Sequence, residues 1–279
     1  MPRRRDLFTD ALRARGAATR RAAATLTHPR RLGARARLWA AQLGALARQR
    51  RAPAVSLNRP VGPHRRLALV RADLAATRAV AHRHGGTVND VVLAAMAGGA
   101  RRLLASRGEL SPGMVLNVSV AASLRAPQVA GSEDGGGNRV GTRVIPVPVG
   151  EPDPLRRLAR IAAASAAQRG RPPFPTGGRL LQRWMVRVMF RQRLVNLLLS
   201  NLHGPPEPLR FAGARVVELF QIGVVQGNLA LATGVLSYAG QLNLVVVADA
   251  DAVPDVAVFT AGLTEALDAL GARPLRPGR

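Results

Sequence analysis

The sequence contains no cysteine. Disulfides and thiolate metal sites are excluded, and nothing in the composition points to secretion. Lysine is absent as well: all 41 basic residues are arginine, against 16 Asp and Glu. Total replacement of Lys by Arg is a bias expected of a GC-rich genome rather than a physical requirement. Aromatic residues make up only 3%, so a core must be built from Ala, Val, Leu and Ile. The same scarcity removes the row of exposed rings on which nucleic-acid bases stack. No zinc-finger spacing and no clear helix-turn-helix pattern is present, and nucleic acid is not expected as a partner. Long apolar runs are missing too. The stretch 242–248 falls far short of the roughly 18 residues of a membrane span. The basic N-terminus is followed by no apolar segment, so it does not read as a signal peptide. A cytoplasmic protein is the expectation.

What is present is a 279-residue chain with 47% hydrophobic residues and a net charge of +25. That is enough to bury one large core or two small ones, and too apolar for disorder. The charge is uneven: residues 1–53 hold 14 arginines against only Asp6 and Asp10. Residues 6–26 and 30–50 read as two Ala/Arg-rich helices separated by Pro29. Such a segment is either a solvated helical face or a surface for phosphates, anionic lipid head groups above all. Residues 1–55 are taken as a basic helical linker arm, and 56–273 as the folded domain.

Within that domain the pattern predicts a strand over 66–74 and a helix over 74–84, stopped by Gly85-Gly86. Thr87 can cap the next helix, with Asp90 at its third position answering free backbone amides. That helix runs to about Ser106, and Gly98-Gly99 inside it implies a backbone packed closely there. Strands follow over 114–122 and 139–149, where Pro146 and Pro148 suggest a sheet edge or strand end. Between them, the glycine-rich stretch 132–137 reads as a surface turn. A helix is expected over 153–168. An amphipathic basic stretch, 177–199, reads as a helix or two, docked on a sheet or lying on a membrane surface. The end of the chain predicts a strand over 215–225, a hairpin of 228–238 and 241–249 turning at Ala239-Gly240, and a closing helix over 254–270. The class is α/β, a mixed sheet flanked by helices.

The chemistry visible in these residues is sparse. His28, His64, His82, His84 and His203 are the only histidines. His82 and His84, two apart, do not share a helix face, and further ligands for a metal are not evident. No G-x-S-x-G elbow and no dinucleotide fingerprint after a strand is present, and Gly135-Gly136-Gly137 lacks what a phosphate loop needs after it.

Six stretches, in order, carry a resemblance. They are Ser56-Leu57-Asn58-Arg59-Pro60-Val61-Gly62-Pro63, Thr87-Val88-Asn89-Asp90-Val91-Val92-Leu93-Ala94, and Val120-Ala121-Ala122-Ser123-Leu124-Arg125. Then come Gly137-Asn138-Arg139 with Pro146-Val147-Pro148-Val149, Ser200-Asn201-Leu202-His203-Gly204-Pro205, and Ser237-Tyr238-Ala239-Gly240 with Asp249. Together they resemble the C-terminal part of the bacterial wax ester synthase/diacylglycerol acyltransferase family, within the CoA-dependent acyltransferase superfamily. Two departures stand out: Leu202-His203 where the family has Val-Pro, and Ala121-Ala122 where it has Pro-Val.

The resemblance implies the C-terminal lobe of a chloramphenicol-acetyltransferase-like fold, with an active-site tunnel between two lobes. It implies acyl transfer from acyl-CoA, a substrate, to diacylglycerol or a fatty alcohol, with no cofactor. The motif positions it marks are Asn89, Asp90, Ser123, Arg125, Asn138, Ser200, Asn201, Gly204 and Pro205. Asn89 and Asp90 would support the tunnel or simply cap a helix. Ser200 and Asn201 would contact the acyl donor or shape a turn. The family's general base, a histidine in H-H-x-x-x-D-G, would take the alcohol proton. No such motif occurs in this sequence. The chain therefore reads as half of an acyltransferase, inactive alone, or alternatively as a non-catalytic module for lipid, acyl-CoA or a partner. The implied partners are a polypeptide carrying the N-terminal lobe or a second copy of this chain, and peripherally an anionic membrane or lipid inclusion.

Overall fold

The computed structural model describes residues 51–123, 140–169, 174–175, 191–272 and 274–275. In chain order the elements are β1 (Arg65–Asp73), α1 (Leu74–Arg83), α2 (Val88–Ser106), β2 (Leu116–Ser123), β3 (Val140–Val147), α3 (Pro154–Arg169) and β4 (Phe174–Pro175). They continue with β5 (Leu197–His203), β6 (Arg210–Phe211), β7 (Ala214–Arg215), β8 (Leu231–Tyr238), β9 (Gln241–Asp249), α4 (Val256–Ala269) and β10 (Pro274–Leu275). Eight strands form one sheet in the order β10-β1-β9-β8-β5-β2-β3-β4. β5 lies parallel to both its neighbours, β2 and β8. The other pairings are antiparallel. This is the mixed sheet flanked by helices that the residue pattern predicts.

Alternation divides the strands cleanly. On β9, Leu242, Leu244, Val246 and Ala248 join the main core under the helices, while Val245 and Val247 belong to a smaller cluster with Ala232 and Val225. On β1, Ala68, Val70 and Ala72 face the helices and Leu67 and Leu69 are exposed on the opposite, open face. The period-2 geometry of a strand makes this separation automatic. The β8–β9 turn falls on Ala239 and Gly240, with φ of 46° and 83°. Two positive φ values define the mirror-image turn that matches the twist of a hairpin.

α2 is the central helix. It begins with the predicted box: the Asp90 backbone N–H donates to Thr87 Oγ1, and the Thr87 N–H donates to the Asp90 carboxylate at 2.8 Å. Its residues from Asp90 to Ala100 are all buried, as expected of a helix that is apolar all round. Gly98 and Gly99 do sit at a backbone crossing. A Cβ on Gly98 would lie 2.5 Å from Ala266 Cβ, and one on Gly99 would lie 2.6 Å from the Phe259 carbonyl oxygen. Gly262 of α4 answers from the other side, 2.9 Å from the Gly98 carbonyl oxygen by the same test.

Three expectations need correction. Residues 197–199, read as the end of a basic helix, open β5, with Leu197 and Leu199 buried in the sheet. A strand buried on both faces is a continuous apolar run, and periodicity cannot separate it from a buried helix. Of the rest of that predicted helix, residues 191–196 form bends and loop ahead of β5, and 177–190 lie outside the described residues, as do the helices of the arm. Residues 216–225, read as a strand, form no ladder; they cross the open face as a strap. Val55, assigned to the arm, packs in the main core, within a compact unit that starts at Arg51.

Gly98→Val tests the α2–α4 crossing. We expect a loss of about 1–3 kcal/mol from overpacking, read as a lower midpoint in urea unfolding.

Candidate functional site

The site is organised around the two ends of β5. At its start stands a ring of carboxamides. Asn196 is fully buried; its Oδ1 accepts from the Asn117 N–H at 2.9 Å, and its Nδ2 donates to Asn58 Oδ1 at 2.6 Å and to the Pro53 carbonyl at 3.0 Å. Asn58 Nδ2 donates to the Val195 carbonyl at 3.0 Å. Gln192 Nε2 donates to Asn228 Oδ1, and Asn228 Nδ2 returns a bond to the Gln192 carbonyl. A buried amide is tolerated only when its donors and acceptor are satisfied. This ring fixes the loop 53–58, the β5 start and residue 228 to one another.

At the other end, strand pleat sends consecutive residues to opposite faces. Asn201 faces the helices, where its Nδ2 donates to Asn89 Oδ1 at 3.2 Å in the first turn of α2. Ser200 faces the strap, and its Oγ accepts from Gln221 Nε2 at 2.7 Å. The Asn-Asp and Ser-Asn motif stretches, 112 residues apart in sequence at Asn89 and Asn201, therefore meet. Asp90 is occupied by helix capping: its Oδ2 accepts from both the N–H and the hydroxyl of Thr87 at 2.8 Å. Gly204 has no room for a side chain, since a Cβ would lie 2.4 Å from the Ser237 carbonyl oxygen. Its own N–H donates to that oxygen at 3.0 Å, and the Ala239 N–H donates to the Pro205 carbonyl. These bonds tie the exit of β5 to the β8–β9 turn. Ser123 closes β2 opposite Val140; Arg125 and Asn138 lie outside the described residues.

The strap is held by side chains from four strands. The buried Tyr238 hydroxyl donates to the Val216 carbonyl and accepts from the Leu209 N–H. Asn243 Nδ2 donates to the Leu219 carbonyl, and Arg71 forks onto Glu218 at 2.5 and 2.8 Å while stacking on Phe220. At Gly234 the strap comes so near that a Cβ would lie 2.1 Å from the Gln221 carbonyl oxygen. The sheet beneath is already paired on both sides, so strap backbone groups find side chains instead of a ladder. That is why a β-prone sequence fails to become a strand here.

Three carboxyls are held below their usual range. Burial pushes Asp249 up, but the amides of Ala252, Gly62 and Asp251, with Arg65 nearby, outweigh it. Asp249 thereby joins the end of β9 to the Ser56–Pro63 loop through Gly62 at 2.7 Å. Asp255 is lowered by its hydrogen bond from Arg107, and Glu218 by that from Arg71. Among the described residues no group of three or more His, Asp or Glu could hold a metal. His82 is exposed at the end of α1 and His203 at the end of β5.

Helices on one side of a mixed sheet, with a parallel strand at its centre and a strap on the other side, define a CoA-dependent acyltransferase type of fold. The WS/DGAT C-terminal domain model matches residues 136–271, and the wax ester synthase/diacylglycerol acyltransferase catalytic domain model matches residues 2–92. The chain belongs to the wax ester synthase/diacylglycerol acyltransferase family. It is 31% identical over 231 residues, 77% of this chain and 48% of the relative, to a Mycobacterium tuberculosis H37Rv protein named "Probable diacylglycerol O-acyltransferase". The chain thus spans about half the length of the curated relatives it matches. The wax ester synthase/diacylglycerol acyltransferase from Marinobacter aquaeolei VT8 superposes with a TM-score of 0.60 at 23% identity, over 82% of this chain and 54% of that one. The nonribosomal peptide synthetase FmoA3 superposes at 0.58 and 20% identity, over 86% and 25%. At these identities the two structures share the fold.

The amides Gln192, Asn196, Gln221 and Asn228 were not marked by any motif. A signal did exist: Asn196 is a lone polar residue inside an apolar run, which in a buried strand demands partners.

The carboxyls set an acid limit. Because Asp249, Asp255 and Glu218 are depressed in the fold, their stabilisation is complete above the ordinary carboxylate range near pH 4. It is lost as pH falls through their lowered values. Asp249→Asn should cost about 2–3 kcal/mol at neutral pH and flatten the acid side of a stability–pH curve followed by circular dichroism.

Proposed function

We propose that this chain serves as the C-terminal lobe of an acyl-CoA-dependent O-acyltransferase making triacylglycerol or wax esters, and that alone it does not turn over. The observation that carries the reading is the Asn89–Asn201 pair at the carboxyl end of β5, where two family motif stretches meet. In the reaction the hydroxyl of diacylglycerol or a fatty alcohol attacks the thioester carbonyl. Its proton passes to the histidine base, the new C–O bond forms, the C–S bond breaks, and CoA leaves as the thiol. This lobe brings no H-H-x-x-x-D-G base. Asn89 keeps its amide donors free of protein partners among the described residues, so they can line a tunnel wall facing a second lobe. Acyl-CoA enters as substrate, and no cofactor is called for.

The open face supports a partner lobe. Leu202, Val217, Ile222 and Val224 are 52%, 71%, 63% and 71% exposed. Large apolar side chains exposed in this number along the strap and the end of β5 favour an interaction site. The occupant we assign is a polypeptide carrying the N-terminal lobe; a second copy of this chain is the alternative. No helix among the described residues is long and apolar enough to cross a membrane. The arginines of residues 1–53 would hold the protein peripherally on an anionic membrane or lipid inclusion. The second reading is a non-catalytic module binding lipid, acyl-CoA or a partner.

Thiol release from palmitoyl-CoA, with hexadecanol or diacylglycerol as acceptor, is measured beside calorimetric titration of palmitoyl-CoA. We expect binding without thiol release, and release once an N-terminal lobe bearing H-H-x-x-x-D-G is added. Turnover by the chain alone refutes the proposal; binding that never becomes turnover with the added lobe supports the module. For the open face, the double variant Ile222→Glu/Val224→Glu should abolish association with the added lobe in light scattering. Unchanged association would remove this face from the interface.

A further inference from the structure

A second site lies on the helical side, beside the α2–α4 glycine crossing and away from the Asn89–Asn201 pair. A cleft of about 420 Å³ opens between α2, α3 and α4, lined among others by Gly98, Arg101, Arg102, Arg157 and Gly262. Arg101 stands about 18 Å along α2 from Asn89, given the rise of 1.5 Å per residue. Gly98 and Gly262, at the close crossing of α2 and α4, form part of its wall. A Cβ on Gly98 would come within 3.5 Å of Arg157 Nη2.

Arg157 is the unusual member. It is only 3% exposed, yet no carboxylate lies within ion-pair distance among the described residues. Every nearby acid is engaged elsewhere: Glu151 pairs with Arg160 at 3.2 Å, Asp153 with Arg156 at 3.5 Å, and Glu265 with Arg102. Arg157 Nη1 makes one long bond to the Glu151 carbonyl at 3.4 Å, and its buried Nε has no partner among the described residues. Arg101 spends one Nη1 on the carbonyls of Val149 and Gly150 at 3.2 and 3.1 Å. Burial, then the nearby Arg101, lower the Arg157 pKa, and Glu151 and Asp153 oppose the effect only in part. A buried guanidinium that keeps donors unused in a positive field is costly unless an anion completes it. Planar N–H forks match the oxygens of a phosphoryl group.

We propose that Arg157, with Arg101, forms a binding site for a phosphoryl group in the cleft between α2, α3 and α4. The site is separate from the acyl-transfer face, so ligand binding here stabilises the helical layer without requiring turnover.

The test uses the full chain. Thermal unfolding is followed against inorganic phosphate and against sodium chloride of equal ionic strength. Glycerol 3-phosphate, a soluble phospholipid head group, is the second probe in the same thermal assay, because residues 1–53 would carry the chain to anionic vesicles whatever this cleft does. We expect phosphate to raise Tm by about 3 °C with saturation, and the rise to vanish in Arg157→Gln and Arg101→Gln. It should persist in Arg156→Gln, a neighbouring arginine on α3 whose side chain is 75% exposed. A rise in Tm with glycerol 3-phosphate alone, lost in the same two variants, would support the site with a lipid head-group phosphate as its source. No effect of either probe, or an effect equal in wild type and Arg157→Gln, overturns it. The Arg101 variant keeps the test decisive if replacing Arg157 prevents folding.

Discussion

The fold depends on one buried carboxamide. Asn196 holds the start of β5 by three bonds, to the Asn117 backbone, Asn58 and Pro53. β5 is the strand that joins two antiparallel halves, β10-β1-β9-β8 on one side and β2-β3-β4 on the other. Parallel strands have no hairpin to set their register, so something else must. Here register is set by a side chain whose hydrogen bonds are satisfied only in one alignment. Slipping β5 by one residue would carry Ser200 to the helical face and Asn201 to the strap.

That alignment gives the site its two-sided character. The same strand end serves the α2 N-terminus through Asn201 and the strap through Ser200. Gly204 and Pro205 then bind the exit to the β8–β9 turn. The Ser-Asn and Ser-Tyr stretches are thus neighbours in space, and Tyr238 reaches across to fasten the strap. Motif residues that seem unrelated along the chain form one connected unit around the carboxyl ends of β5 and β8. Asp90, in contrast, is engaged in capping, and its motif partner Asn89 is the member that meets Asn201.

Much of this was legible in the residues, and the failures have physical causes. The α2 cap was readable because Thr87 and Asp90 stand at fixed offsets, and the close crossing because Gly98-Gly99 has no other use inside a helix. The hairpin showed itself in Ala239-Gly240. β5 was misread because a strand buried on both faces loses its alternation. The strap was misread because Val216, Phe220 and Val225 have strand preferences, while the availability of a free backbone edge is a property of the sheet and not of the segment. The Asn89–Asn201 contact was unreadable from either stretch alone, although the family resemblance had marked both residues. Arg157 carried no signal at all: in a chain with 41 arginines, one more on an amphipathic helix attracts no notice until its burial is known.

The parallel setting of β5 also shapes how the chain acquires its structure. β2 emerges early, but its partner on that side arrives much later, as the pairing of Val118 with Leu197 shows. β8 and β9 follow later still, and β1, almost the first strand made, must wait for β9 across the whole domain. Long-range pairings of this sort slow folding, because chain closure precedes the reward of contact. During synthesis the unpaired edges of β1 and β2 stand open together, and edges of that kind invite strand addition by other chains. Crowding by nascent copies is therefore the hazard built into this topology, and the late hairpin β8–β9 is the step that ends it.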